Sequence, residues 1–221
     1  MNKVLLKTSG RTGSHLILDY FESIGFKSMF TATDETDKLY QYGLTELVLP
    51  LDKTIVQCHL KNMPKETKEW NLIYNKRHDI VCQTLSSIIA RRTDVWHGVA
   101  NIVPFTVSEK TVKKELVTHI AFNYYMDLVC NTVPWKSVHI LEMEDFITNP
   151  NNLPKLLNLG DTYKDTWDHV KHKKAIKYID AISNYEETVI MITDNISKVS
   201  KLAEAYGLVN FDMTFGEKYG I

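Results

Sequence analysis

The 221 residues carry 26 Lys+Arg against 27 Asp+Glu, a net charge of −1, with 44% hydrophobic and 24% charged residues. That balance excludes collagen-like, low-complexity and wholly disordered chains and disfavours a globally basic nucleic-acid binder. A chain of this length buries roughly 70% of its unfolded surface, enough for one sizeable core. The expectation is a single domain over residues 1–221 with a helical C-terminal part from about residue 175.

The first predicted element is a short buried strand from Lys3 to Lys7, where Val4, Leu5 and Leu6 stand in a row. This apolar run is too short for a signal-peptide core, and no stretch approaches the roughly 18 apolar residues of a membrane span. A turn-rich loop, Thr8 to Ser14, follows. Leu16, Ile17, Tyr20, Phe21 and Ile24 then recur at helical spacing, with Gly25 as the stop. Phe30 to Leu49 is polar with scattered aromatics and reads as helix and loop. Thr54 to Cys58, ending at His59, is the second strand, and Trp70 to Tyr74 the third. Asp79 is placed to cap a helix running to about Arg92, with Ile80, Val81, Leu85, Ile88 and Ile89 on its inner face. A long helix is expected from Val107 to about Cys130, and a fourth strand from Trp135 to Met143. Pro150 and Pro154 mark a turn and a short helix. Gly160 to Lys174 is polar, with Lys171, Lys173 and Lys174 clustered beside His169 and His172. Ser183 and Glu186 have capping-box spacing, and a further helix is expected over about Asp194 to Ala205. Strands alternating with helices predict an α/β fold: a three-layer sandwich around a central parallel sheet.

Cys58, Cys82 and Cys130 are odd in number and widely spaced, which suits reduced thiols in a soluble, cytoplasmic protein. The eight histidines include no H-x-x-x-H pair with a carboxylate helper, so no metal site is expected.

The strand–loop–helix opening carries the chemistry. Gly10 and Gly13 permit tight turns and close backbone approach, and the free amides at a helix N-terminus form an anion site. Arg11 adds a planar cationic fork, and Thr12 and Ser14 add hydroxyls. A bound phosphate is the natural ligand. The full G-x-x-x-x-G-K-[ST] and G-x-G-x-x-G patterns are both absent.

Arg11-Thr12-Gly13-Ser14-His15-Leu16 resembles the 5′-phosphosulfate-binding loop of sulfotransferases that use 3′-phosphoadenosine 5′-phosphosulfate (PAPS), with His15 in place of the family's second hydroxyl. Tyr74-Asn75-Lys76-Arg77-His78-Asp79, followed by Ile80 to Ser87, is similar to the family's second signature. Ala90 to His97, Leu141 to Phe146 with Pro150 behind it, and Ser183 to Glu187 resemble segments of its bacterial and viral branch. The family's late Arg-Lys-Gly pattern is not matched.

This resemblance implies a P-loop NTPase-like fold and a transferase that moves a sulfonate from PAPS to a hydroxyl or amine. The product is adenosine 3′,5′-bisphosphate, and the acceptor is a small molecule or carbohydrate. It implies that Gly10, Arg11, Thr12, Gly13, Ser14 and His15 bind the 5′-phosphosulfate. Arg77 and Ser86, or its neighbour Ser87, would grip the 3′-phosphate. An ion pair with Asp79 is the alternative for Arg77. His59 is the first candidate for the base and Glu35 the second, with Glu46 behind it. Glu142, Glu144 and Asp145 read as structural caps or ion pairs. The Lys171–Lys174 run is a solvated face, a cover for the nucleotide or a contact for an acidic partner. A P-loop-type kinase and a non-catalytic nucleotide-binding module are the competing readings. No membrane or nucleic-acid partner is expected, and the size suits a monomer or homodimer.

Overall fold

The computed structural model describes residues 3–30, 53–59, 64, 66–94, 102–158 and 177–205. Their strands are β1 (Lys3–Thr8), β2 (Lys27–Phe30), β3 (Thr54–His59), β4 (Trp70–Lys76) and β5 (Ser137–Glu142). Their helices are α1 (Ser14–Ser23), α2 (Ile80–Thr93), α3 (Glu109–Thr132), α4 (Met143–Thr148), α5 (Asn152–Leu156), α6 (Tyr178–Ala181) and α7 (Tyr185–Ala205). The chain groups into two compact units: Met1–His78 with Met126–His169, and Asp79–Tyr125 with Val170–Ile221.

The first unit is α/β. Its five strands form one open sheet in the order β2-β3-β1-β4-β5, and every neighbouring pair is parallel. In this register Leu5 of β1 lies level with Val56 and Leu72, and Thr8 with His59 and Asn75. Alternation sends Val4, Leu6, Ile55, Ile73 and Leu141 to one face. There they meet Ile17, Leu18, Tyr20 and Phe21 of α1, together with Phe146, Leu153 and Leu157. Tyr20 makes an edge contact with Phe146 at 5.6 Å and donates its hydroxyl to Asn151 Oδ1 at 2.8 Å. On the other face Tyr74 is fully buried. Burial, then the charges of Asp127, Cys130 and Glu142, push its hydroxyl far above the usual tyrosine range, so the end of α3 lies against this face. The helix α1 closes as its sequence predicts. Gly25 takes φ +90°, Gly25 N–H donates to Glu22 O at 3.0 Å, and Phe26 N–H donates to Phe21 O at 3.0 Å.

The second unit is helical. Asp79 caps α2 by accepting from Cys82 N at 2.8 Å, as expected. The unbroken buried run from Gln83 to Ala90 shows that α2 is enclosed on all sides rather than along one stripe. Phe105 forms a parallel bridge with Ile182, and the Asn184 amide clamps Val107 through both its N–H and its C=O, at 2.9 and 3.0 Å.

Four local expectations change. Lys27–Phe30 is a strand, because a four-residue edge strand is too short to show a period. Met143–Thr148 is a helix rather than the end of a strand. Tyr185–Ala205 is one helix. Its buried stripe, Thr188, Ile192, Asn195, Val199 and Ala203, contains two polar members that interrupt the apolar period. Both bond back to the carbonyl four residues earlier, Thr188 Oγ1 to Asn184 O and Asn195 Nδ2 to Met191 O. Asn184, not Ser183, precedes the first turn, and its amide donates to Glu187 Oε2 at 3.1 Å. Glu35, Glu46 and the Lys171–Lys174 cluster lie outside the described residues. Among the described residues, no helix is long and apolar enough to cross a membrane.

One pH effect follows from the sheet. Burial holds His139 of β5 below the ordinary histidine value of 6.5, and its Nε2 lies 2.9 Å from Ser137 Oγ. The folded state therefore binds this proton less readily than the unfolded chain does. Its contribution to stability is complete above pH 6.5 and declines as pH falls through 6.5 toward the lower folded value. His139→Gln is expected to flatten urea-denaturation stability between pH 7 and pH 5; an unchanged slope refutes the assignment.

Candidate functional site

The connections leaving β1 and β4 diverge. The chain runs from β1 to β2 at one edge of the sheet, and from β4 to β5 at the other. In an open parallel sheet, the carboxyl ends of two such strands form the crevice where ligands bind. The loop Ser9–Gly13 follows β1, and Arg77–His78 follows β4, so both candidate loops stand at that point.

The β1 loop has an unusual backbone. Gly10, Arg11 and Gly13 all take positive φ, at +81°, +54° and +72°. Left-handed residues in short succession turn neighbouring amides toward one side and make a concavity for an anion. Arg11 is not glycine, so its conformation stores strain of about 1 kcal/mol that the surrounding contacts must offset. Gly13 is the N-cap of α1 and offers no side chain to cap it. The first turn of α1 contains no carboxylate either, so its positive end is not neutralised from within.

Two amide side chains fix the loop from neighbouring strands. Asn75 of β4, fully buried, donates its Nδ2 to Thr12 O at 2.6 Å and to Thr12 Oγ1 at 3.1 Å. Gln57 of β3, also fully buried, donates its Nε2 to Ser14 Oγ at 3.0 Å. Thr8 Oγ1 accepts from Gly10 N at 3.1 Å. Thr12 is itself fully buried, so its hydroxyl pins the loop to β4. Sequence reading missed Asn75 and Gln57. The available signal was a primary amide inside each apolar strand, because a buried amide requires a hydrogen-bond partner. Lys7, fully buried one residue before the end of β1 and engaged by its neighbours, was also missed.

Gly13 allows a direct test. A Cβ here would meet Met143 Sδ and Cε at 3.0 Å, whereas a Cβ at Gly10 meets nothing within 4 Å. Gly13→Ala is expected to destabilise by about 1–2 kcal/mol through left-handed strain plus displacement of Met143, and Gly10→Ala by about 1 kcal/mol through strain alone. Chemical denaturation of the two variants checks the order, and equal losses would remove Met143 from the explanation.

Arg77 stands beside the β1 loop. Its side chain is 18% exposed, its Nη1 lies 3.5 Å from Arg11 O, and its Nε lies 3.7 Å from Glu144 Oε1. Both contacts are longer than ordinary hydrogen bonds. Arg77 Nε is buried with no hydrogen-bond acceptor among the described residues, and so is the oxygen of Asn75 with no donor. Glu144 Oε2 accepts the backbone N–H of His78 at 3.1 Å, and Glu142 pairs with Lys76 at 3.2 Å. These two glutamates are ion-pair partners, as the sequence suggested. The carboxylate found beside Arg77 is Glu144, while Asp79, the alternative partner the sequence offers, accepts from Cys82 N at the start of α2.

His59 ends β3 with its backbone level with Thr8, at the same carboxyl edge of the sheet. His15 is half-buried in the first turn of α1. Ser86 and Ser87 belong to the helical unit. Ser87 Oγ lies 3.0 Å from His119 Nε2 in a buried pair, and Ser86 is 8% exposed. The structure therefore gathers Gly10 to Ser14 and Arg77 within the first unit. No group of three or more metal-ligating side chains occurs among the described residues. Compared with known proteins, the chain matches no family model, no curated protein and no solved structure.

Proposed function

We propose that this protein is a PAPS-dependent sulfotransferase on a P-loop-like unit, transferring a sulfonate to a hydroxyl or amine acceptor. The observation that carries the reading is Arg77: a guanidinium four-fifths buried at the switch point, beside the left-handed β1 loop, whose Nε has no hydrogen-bond acceptor among the described residues. A buried charged donor without a partner is costly, and a phosphate oxygen satisfies it well. The N-terminus of α1, with glycine as its N-cap, and the positive φ values at Gly10, Arg11 and Gly13 suit a second anionic group. The resemblance of residues 11–16 and 74–87 to the family's two nucleotide signatures supplies the chemical identity of that ligand.

In this reading Arg11 and the amides of residues 10–15 hold the 5′-phosphosulfate, and Arg77 anchors the 3′-phosphate. PAPS supplies an activated sulfonate. The acceptor oxygen or nitrogen attacks sulfur, the bond from sulfur to the phosphate oxygen breaks, and the acceptor proton passes to a base. Positive groups around the phosphate offset the charge that grows on the leaving oxygen. His59, at the carboxyl edge of β3, is the first candidate base, and Glu35 the second. Transfer needs both nucleotide phosphates fixed, because positioning supplies much of the rate.

Calorimetric titration of the full chain with adenosine 3′,5′-bisphosphate, with AMP as control, tests the reading. Micromolar affinity for the bisphosphate and none for AMP is the expected result. Equal affinity for both, or for neither, overturns the 3′-phosphate assignment. Transfer of radiolabelled sulfonate from PAPS to a panel of phenols, sugars and amines then tests the reaction, and His59→Ala distinguishes the bases.

A further inference from the structure

We infer that Glu144 is a built-in counter-ion of the anion site, held beside Arg77 to weaken its grip on a bound phosphate or sulfate group. The inference rests on the reading of the β1 loop and Arg77 as an anion site. Glu144 is the second residue of α4, and its neighbour Met143 packs against Gly13 of the loop. Its carboxylate is positioned by the backbone: Oε2 accepts His78 N–H at 3.1 Å. Oε1 stands 3.7 Å from Arg77 Nε, close enough for Coulombic attraction and too far for a hydrogen bond. The negative charge is therefore fixed next to Arg77 while Nε has no hydrogen-bond acceptor among the described residues and Nη1 has only a long contact, 3.5 Å to Arg11 O. An anion can take those donors without breaking a hydrogen bond of Glu144, but it must then sit in the field of a carboxylate. Glu144 is 43% exposed, so that field is partly screened rather than eliminated.

Among the described residues Glu144 is the carboxylate beside Arg77, since Glu142 is paired with Lys76. A dianion held by Arg77 therefore meets a cation whose charge is partly offset. A doubly charged ester with several acceptor oxygens still binds, through the planar arginine fork. A singly charged ligand with one acceptor gains little. After transfer, the same repulsion hastens release of the product.

The test compares the wild-type chain with Glu144→Gln, which keeps an acceptor for His78 N–H and removes the charge. Inorganic sulfate and adenosine 3′,5′-bisphosphate are titrated calorimetrically at two salt concentrations, with thermal unfolding as the control for fold. Glu144→Gln is expected to bind both anions about tenfold more tightly, the effect of one like charge about 6 Å away in largely solvated surroundings, with a steeper salt dependence. A purely structural role predicts unchanged or weaker binding, and that outcome overturns the inference. The sulfate arm separates it from the nucleotide reading. A gain in sulfate binding without any preference for bisphosphate over AMP refutes the nucleotide and keeps the counter-ion, whereas no sulfate gain refutes the counter-ion alone. If Glu144→Gln fails to fold, Glu144→Ala is read in the same way: tighter sulfate binding supports the inference and looser binding overturns it.

Discussion

Arg77→Ala is expected to weaken binding of adenosine 3′,5′-bisphosphate by roughly 30- to 150-fold, about 2–3 kcal/mol, the range for truncating a largely desolvated charged partner. Stability should fall by less than about 1 kcal/mol, because the polar contacts of Arg77 among the described residues are long, 3.5 Å to Arg11 O and 3.7 Å to Glu144. This separation of binding from stability is the diagnostic feature. A residue kept for the fold alone would show the reverse. Arg77→Lys should recover part of the loss: a lysine keeps the charge but lacks the planar fork that matches two phosphate oxygens. Calorimetry with bisphosphate, together with urea denaturation, measures both quantities. Unchanged affinity in Arg77→Ala would leave the nucleotide assignment without its main support.

Asn75→Ala is expected to cost about 3 kcal/mol of folding stability and to loosen the β1 loop as well. Asn75 Nδ2 serves Thr12 O and Thr12 Oγ1 at once, in a fully buried position, and truncation leaves a buried carbonyl without a donor. Leaving one such group unsatisfied costs about 1–3 kcal/mol, and the small cavity adds to it. Asn75→Val separates the two causes. It fills the space without charge and removes the donor, so a similar loss assigns the effect to hydrogen bonding and a small loss assigns it to packing. Faster amide exchange at Thr12 and Gly13 should accompany both variants. A loss below about 1 kcal/mol in Asn75→Ala would mean that the loop is held by its own backbone conformation.

Local order was largely legible. The strand Lys3–Thr8, the glycine loop and the helix from Ser14 announce themselves through an apolar run, turn residues and helical spacing, all within about 20 residues. The Asp79 cap and the Gly25 stop were legible for the same reason: each depends on atoms a few residues away. Errors fell where a local pattern was too short or was crossed by polar residues. The four-residue β2 is of the first kind. The helix Tyr185–Ala205, with Thr188 and Asn195 in its buried stripe, is of the second.

The candidate site divides in the same way. Gly10, Gly13 and Arg11 could be chosen from the sequence because glycine tolerance of positive φ and the arginine fork are properties of single residues. Arg77 could be chosen through a resemblance, but its partner could not. Asp79, two residues on, was the local choice; Glu144, 67 residues on, is the one the fold supplies. The pins Asn75–Thr12 and Gln57–Ser14 span 63 and 43 residues.

By itself, then, the sequence determined that a buried strand feeds a glycine-bearing loop and a helix, and that parallel strands alternate with helices. Those facts follow from hydrophobic period and turn chemistry, which act over one or two turns of chain. Only the tertiary structure decided the order β2-β3-β1-β4-β5, the divergence of the chain at β1 and β4, and the amides and carboxylate gathered there. Parallel strands are joined by long crossovers, so neither their neighbours nor their register is written in any local stretch; both are settled when the sheet buries its two faces.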